Sequence, residues 1–115
     1  MKKLKNLIKL SASVRVLIPS TISINKNFDN SQEVDDALSF FSQAFGGATS
    51  FVALGAWQSQ NLGLIKEKVV AVESFCDQSE LEERIDDVVN FCEQLKKRLD
   101  QEAISLFVNN ELYFI

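Results

Sequence analysis

The sequence predicts an α+β fold: a two-layer sandwich, ferredoxin-like βαββαβ with an extra C-terminal strand, its two helices on one face of an antiparallel sheet. Three observations predict it. Val14, Val16 and Ile18 alternate with Arg15 and Leu17, and 51–57 and 64–76 are apolar-rich runs bounded by turn residues, both signals of strands, whereas apolar residues recur at three- and four-residue steps over 34–45 and 81–99, the period of a helix. Four Gly and one Pro in 115 residues leave most of the chain to regular structure, and that length suffices for one core, so residues 1–115 form a single domain. Two helices cannot cover both faces of so wide a sheet, which puts them together on one.

The first strand sets Val14, Val16 and Ile18 against Arg15 and Leu17, and continues after Pro19 with Ile22 and Ile24 against Thr21 and Ser23. Proline has no amide to donate, so the strand is bent there and lies at an edge or in an interrupted ladder. Asn30 and Glu33 stand at capping-box spacing before Val34, Ala37, Leu38, Phe41, Ala44 and Phe45, a first amphipathic helix of about four turns. Gly46-Gly47 stops it, since glycine takes the left-handed conformation that closes a helix at no steric cost.

Residues 51–57 form the next strand, in which Gly55 marks a bulge or a close approach to the backbone, with Trp57 the candidate neighbour. Gln58 to Asn61 and Gly63 make a turn into a partner strand over 64–76, with Ile65, Glu67, Val69, Ala71, Glu73 and Phe75 on one face. Ser79 and Glu82 read as a second capping box. Leu81, Ile85, Val88, Cys92, Leu95 and Leu99 then give the seam of a helix of about five turns. Its acids crowd the first half (Glu80, Glu82, Glu83, Asp86, Asp87) and Lys96-Lys97-Arg98 ends it, the order the helix dipole favours. A closing hairpin over 103–115 turns at Asn109-Asn110.

Several strands are apolar on both sides. Val70 and Val72 oppose Val69 and Ala71, and Phe51 and Trp57 oppose Val52 and Leu54. A sheet face of that kind, left open by the helices, calls for a second copy, so a homodimer or larger oligomer is expected.

The formal charge of −4 is unevenly spread. Residues 1–26 carry six basic groups and no acid, whereas the remainder holds sixteen acids against six bases, a net −10. Such a body repels phosphate backbones, so direct nucleic-acid binding is not expected and an acidic surface for a protein partner is. There is no His, which removes imidazole bases, Ser/His and Cys/His dyads and the commonest zinc ligand. Cys76 and Cys92 lack metal-site spacing, and Cys92 sits on an apolar helix seam as a reduced core thiol; no metal and no cofactor are expected. Lys9 and Arg15 interrupt the N-terminal apolar run before it makes a signal peptide, and no window is long enough to span a bilayer, so a cytoplasmic location is expected.

Phe45-Gly46-Gly47-Ala48-Thr49, then Gly55-Ala56-Trp57, then Leu64-Ile65-Lys66-Glu67 make up the distinctive string of the chain. It resembles small uncharacterised bacterial, phage and plasmid proteins that carry a GGAT segment after the first helix, a G-x-W strand and a Glu opening the next strand. The resemblance is best over 45–75. The ending Asn109-Asn110-Glu111-Leu112-Tyr113-Phe114-Ile115 is similar to the N-G-E-x-Y-F-I close of the same group, with Asn110 where Gly is usual. The resemblance implies the fold and a mobile-element setting, and carries no activity with it.

The candidate binding residues are Arg15, Thr49, Trp57 and Glu67. A hairpin turn near Gln60-Asn61 brings Trp57 and Glu67 onto neighbouring strands with Gly55 leaving space and Thr49 at the mouth, a spot for a polar ligand or a basic side chain. The alternative is that Trp57 packs in the core while Glu67 pairs with Arg15 or holds the Gly46-Gly47 loop. A catalytic carboxylate pair is excluded, because Glu67 and Glu73 are six residues apart on one strand, about 20 Å. The glycine pair follows a helix and lacks Gly-Lys-Ser/Thr, so it is a cap and not a phosphate loop. With no convergent catalytic set, the chain is expected to be a non-catalytic oligomeric binding protein. It would be a phage- or mobile-element-encoded inhibitor acting on a host defence protein through the acidic face of Glu80, Glu82, Glu83, Asp86 and Asp87. The second reading is a small-molecule (nucleotide or polar metabolite) binder with an intersubunit pocket near Trp57 and Glu67.

Overall fold

The computed structural model of the protein describes residues 2–22 and 26–115. The elements run β1 (Ala12–Pro19), β2 (Thr21–Ile22), β3 (Lys26–Asn27), α1 (Ser31–Phe45), β4 (Thr49–Ser59), β5 (Gly63–Cys76), α2 (Gln78–Arg98), β6 (Ser105–Val108) and β7 (Glu111–Phe114). Five strands form an antiparallel sheet in the order β4-β5-β1-β6-β7, while β2 and β3 pair as a separate short ribbon. The α+β class with two helices and one antiparallel sheet is therefore as the periodicities predict. Ser23 and Ile24, read above as a continuation of the first strand, lie outside the described residues.

Register decides which side chains share a face. Val14 pairs with Ser74, Val16 with Val72 and with Leu106, and Ile18 with Val70. These residues point to the side where Ala37, Phe41 and Phe45 of α1 and Leu81, Val88, Cys92 and Leu95 of α2 complete a single core. Both helices thus cover one face. Phe41 is fully buried at its centre, with Phe40 stacked on Phe91 at 5.0 Å to tie the helices together; burial of one such ring contributes about 3 kcal/mol.

The helix ends differ from the predicted boxes. Asn30 does stand at the N-cap of α1, but its side chain makes no cap: Nδ2 donates to the Pro19 carbonyl at 3.0 Å, and the amide of Ser31 is met by Asp29 Oδ1 at 3.1 Å. Glu33 is drawn inward instead, where Arg98 of α2 pairs with it at 2.9 Å and with Asp36 at 3.0 Å. The second box is formed by Asp77 and Glu80 rather than Ser79 and Glu82, because the chain turns into α2 directly after Cys76. Gly46 closes α1 with φ +93°, as expected, and Asn109 and Asn110 turn the final hairpin with φ +51° and +67°.

Pro19 ends β1 on the flank that β6 leaves unpaired, since β6 meets β1 only at Val14, Arg15 and Val16. Beyond that point β4 and β5 continue as a two-stranded arm. Val52, Leu54 and Leu64 on its helix-side face are more than half exposed, and the molecule measures 53 × 29 × 21 Å. On the open face Phe51, Trp57 and Phe75 are also exposed.

Candidate functional site

The site forms where β1 stops. Its last pair is Pro19 with Val69, so two residues further along, at Glu67, β5 has lost its β1 neighbour. The register Gly55↔Glu67 and Trp57↔Ile65 sets Trp57 diagonally beside Glu67 on the open face. The ladder passes Gly55 without a bulge, and a Cβ there would meet only the Glu67 carbonyl at an ordinary 3.7 Å. Gly55 therefore leaves the floor beside the carboxylate empty.

The space vacated by β1 is filled from two directions. Ser20 donates its hydroxyl to the Lys68 carbonyl at 2.6 Å, which lays the chain after Pro19 along β5, and Thr21 then donates its hydroxyl to Glu67 Oε1 at 2.8 Å. From the other side, Asp100 takes φ +49° just past α2 and turns the chain so that Gln101 donates Nε2 to the Thr21 carbonyl at 3.0 Å and to the Leu99 carbonyl at 3.1 Å. Thr21, Asn27, Trp57, Ile65, Glu67 and Gln101 line the resulting open cleft of about 520 Å³.

Of the residues singled out in the sequence, Trp57 and Glu67 come together and Arg15 and Thr49 do not join them. Trp57 is half exposed rather than packed in the core. Arg15 and Thr49 face Glu73 across the sheet, six residues from Glu67 along β5 and about 20 Å away. There Arg15 binds Glu73 Oε2 through Nη2 at 2.7 Å and Nε at 3.0 Å and lies 5.3 Å from the Phe107 ring centroid. The Gly47 carbonyl is met by the Ser74 hydroxyl at 2.6 Å, so Glu67 has no part in that loop. Along α2, Glu82, Glu83, Asp86 and Asp87 are exposed, with Asp87 at 3.4 Å from Arg84, while Glu80 is committed to the capping box.

Thr21, Asn27 and Gln101 carried no sequence signal. Thr21 and Asn27 reach the cleft through the short β2–β3 ribbon and Gln101 through the turn after α2, and the one available hint was the break at Pro19. The thiols are remote from this chemistry. Burial, and then the charge of Glu93, push Cys92 up to about 12; burial, then Glu80 and Asp77, raise Cys76. Among the described residues no three Cys, Asp or Glu side chains converge as metal ligands, and no helix is long and apolar enough to cross a membrane. A carboxylate with one oxygen held, an indole beside it and amide groups around it suit an organic cation.

No family model matches the chain, and no curated protein matches it. Two solved structures share its fold. Phage SAM lyase in complex with S-methyl-5'-thioadenosine is 16% identical, with 96% of this chain and 92% of that chain covered at a TM-score of 0.66. Phage SAM lyase in the apo state is 17% identical, with 96% and 95% covered at a TM-score of 0.64. Both are enzymes, which overturns the expectation of a non-catalytic interaction protein and of a chain without enzymatic activity. That expectation failed because it demanded a convergent catalytic set in the sequence, whereas the cleft is assembled from a β1 terminus, an arm and two loops.

Proposed function

We propose that the chain is a lyase that cleaves SAM (S-adenosylmethionine) and releases S-methyl-5'-thioadenosine. The observation that carries this is the cleft pairing Glu67 with Trp57, on a fold shared over nearly its whole length with phage SAM lyase. The strand order supports a ferredoxin-like split βαβ reading with β7 added at one edge. α1 links β1 to β4 across β5, and α2 links β5 to β6 across β1.

The chemistry is balanced without water or a redox partner. The bond from the sulfonium to the Cγ of the amino-acid chain breaks, its electron pair goes to sulfur, and the neutral thioether leaves. The chain's own carboxylate forms the new bond at Cγ, giving an amino-lactone. An anion and a cation cancel along this path, so a cleft less polar than water favours it, and Trp57, Ile65 and Ala103 supply apolar walls. Glu67 serves best by gripping the α-ammonium, whose charge persists throughout, and so holding the carboxylate within reach of Cγ. The indole of Trp57 offers its face to the sulfonium or the adenine.

The cleft is open to solvent in a single chain. The exposed apolar side chains of the arm, Phe51, Val52, Leu54 and Leu64, support a homo-oligomer in which the pocket near Trp57 and Glu67 lies between subunits and is closed to water. In a phage or mobile-element setting, removing SAM from the host cytoplasm deprives SAM-dependent defence of its substrate, an anti-defence role that needs no acidic docking surface. Incubating the purified chain with SAM and following S-methyl-5'-thioadenosine by liquid chromatography tests the reading. Release is expected, and binding without release contradicts it.

A further inference from the structure

The geometry points to Thr21 as the positioning residue of Glu67, an inference that rests on the lyase reading for its kinetic consequence and on the structure alone for its physical one. Glu67 stands on the two-stranded arm beyond the end of β1, where β5 has a ladder neighbour on one side only. Three side-chain torsions are therefore free to turn unless a hydrogen bond stops them. The Thr21 hydroxyl supplies that bond at 2.8 Å to Oε1, and Oε2 accepts none from the described residues. One oxygen is fixed, on a residue that lines the cleft.

Thr21 can hold Glu67 because Thr21 is itself held. Its carbonyl accepts from Gln101 Nε2 at 3.0 Å, and Gln101 is tied to the end of α2 by its own amide donating to the Lys96 carbonyl at 3.0 Å. The preceding Ser20 donates to the Lys68 carbonyl at 2.6 Å and accepts from the Phe28 amide at 2.9 Å, and Thr21 pairs with Asn27 in the ribbon. The helical layer thus reaches the carboxylate through Gln101 and Thr21. A β-branched residue adds to the effect, since its χ1 is stiff and aims the hydroxyl in one direction.

A residue whose hydroxyl is committed to aiming a carboxylate acts on turnover more than on binding. The experiment compares wild type, Thr21→Val, which keeps the shape, and Thr21→Ser, which keeps the hydroxyl, in the full chain. Side-chain three-bond couplings of Glu67 in the ligand-free protein report its rotamer, and S-methyl-5'-thioadenosine release from SAM gives kcat and KM. Expected are single-rotamer couplings in wild type and Thr21→Ser and averaged couplings in Thr21→Val, with kcat lowered about tenfold or more in Thr21→Val, KM changed by less than about threefold, and Thr21→Ser close to wild type. Unchanged Glu67 couplings across the three proteins overturn the inference, as does a Thr21→Val enzyme with full kcat. If the couplings behave as expected and wild type releases no product, the positioning role stands and the lyase reading falls.

Discussion

Arg15 and Glu73 form a bidentate pair on the sheet face that the helices leave open, with both Nε and Nη2 within 3.0 Å of one carboxylate oxygen and the guanidinium beside the Phe107 ring. Glu73 retains 17% side-chain exposure and Arg15 34%. The pair is thus largely, though not fully, shielded from water. Removing the cation with Arg15→Met is expected to cost about 1–2 kcal/mol in urea unfolding, and a double-mutant cycle with Glu73→Gln to give a coupling of about 1 kcal/mol. Simple additivity would mean that the pair contributes nothing.

Glu33 and Arg98 make a more demanding pair. The Glu33 side chain is 4% exposed, and its Oε1 has no hydrogen-bond partner, so Arg98 is the one cation compensating a buried charge among the described residues. Arg98→Met is expected to destabilise by about 3 kcal/mol, and adding Glu33→Met to recover most of that loss, because the cost lies in the stranded carboxylate. A double variant as unstable as the single one would contradict this account.

Cys92 gives stability a pH dependence of known sign. Its thiol titrates near 9.0 when free and is pushed up to about 12 in the fold, chiefly by burial. The unfolded chain therefore loses its proton first as pH rises, and stability falls between about pH 9 and 12. Cys92→Ala is expected to flatten that slope. At pH 8 neither buried thiol is expected to react with a disulfide reagent until urea unfolds the chain, and rapid labelling of native protein would count against the packing described.

Much of the fold is legible because burial writes its period into the sequence. The seam Leu81, Val88, Cys92 and Leu95 is the buried face of α2, and Val14, Val16 and Ile18 are the buried face of β1. The helix starts were less legible. Asp77 and Ser79 are both competent caps two residues apart, and only the exit of β5 at Cys76 decides between them. For the cleft, hairpin register was enough to bring Trp57 and Glu67 together, because strand pairing is local. Thr21 and Gln101 are 80 residues apart, and their meeting depends on where β1 ends and how the chain leaves α2.

The exposed apolar arm predicts association. Phe51→Glu, which puts a charge on the open face without touching the helix-side core, is expected to shift sedimentation from a multimer toward a single chain and to lower SAM turnover in parallel. A wild-type protein that sediments as one chain at micromolar concentration and still turns over SAM would remove the oligomer from the proposal.

The proposed lyase stands or falls on Glu67 acting on SAM in the cleft beside Trp57. The most direct measurement compares wild type with Glu67→Gln, which keeps shape and hydrogen bonding but removes the charge, by quantifying S-methyl-5'-thioadenosine formed from SAM. Multiple turnovers by wild type and a rate lowered about a hundredfold or more by Glu67→Gln are predicted. Equal rates for the two proteins, or SAM left intact by wild type, would contradict the account.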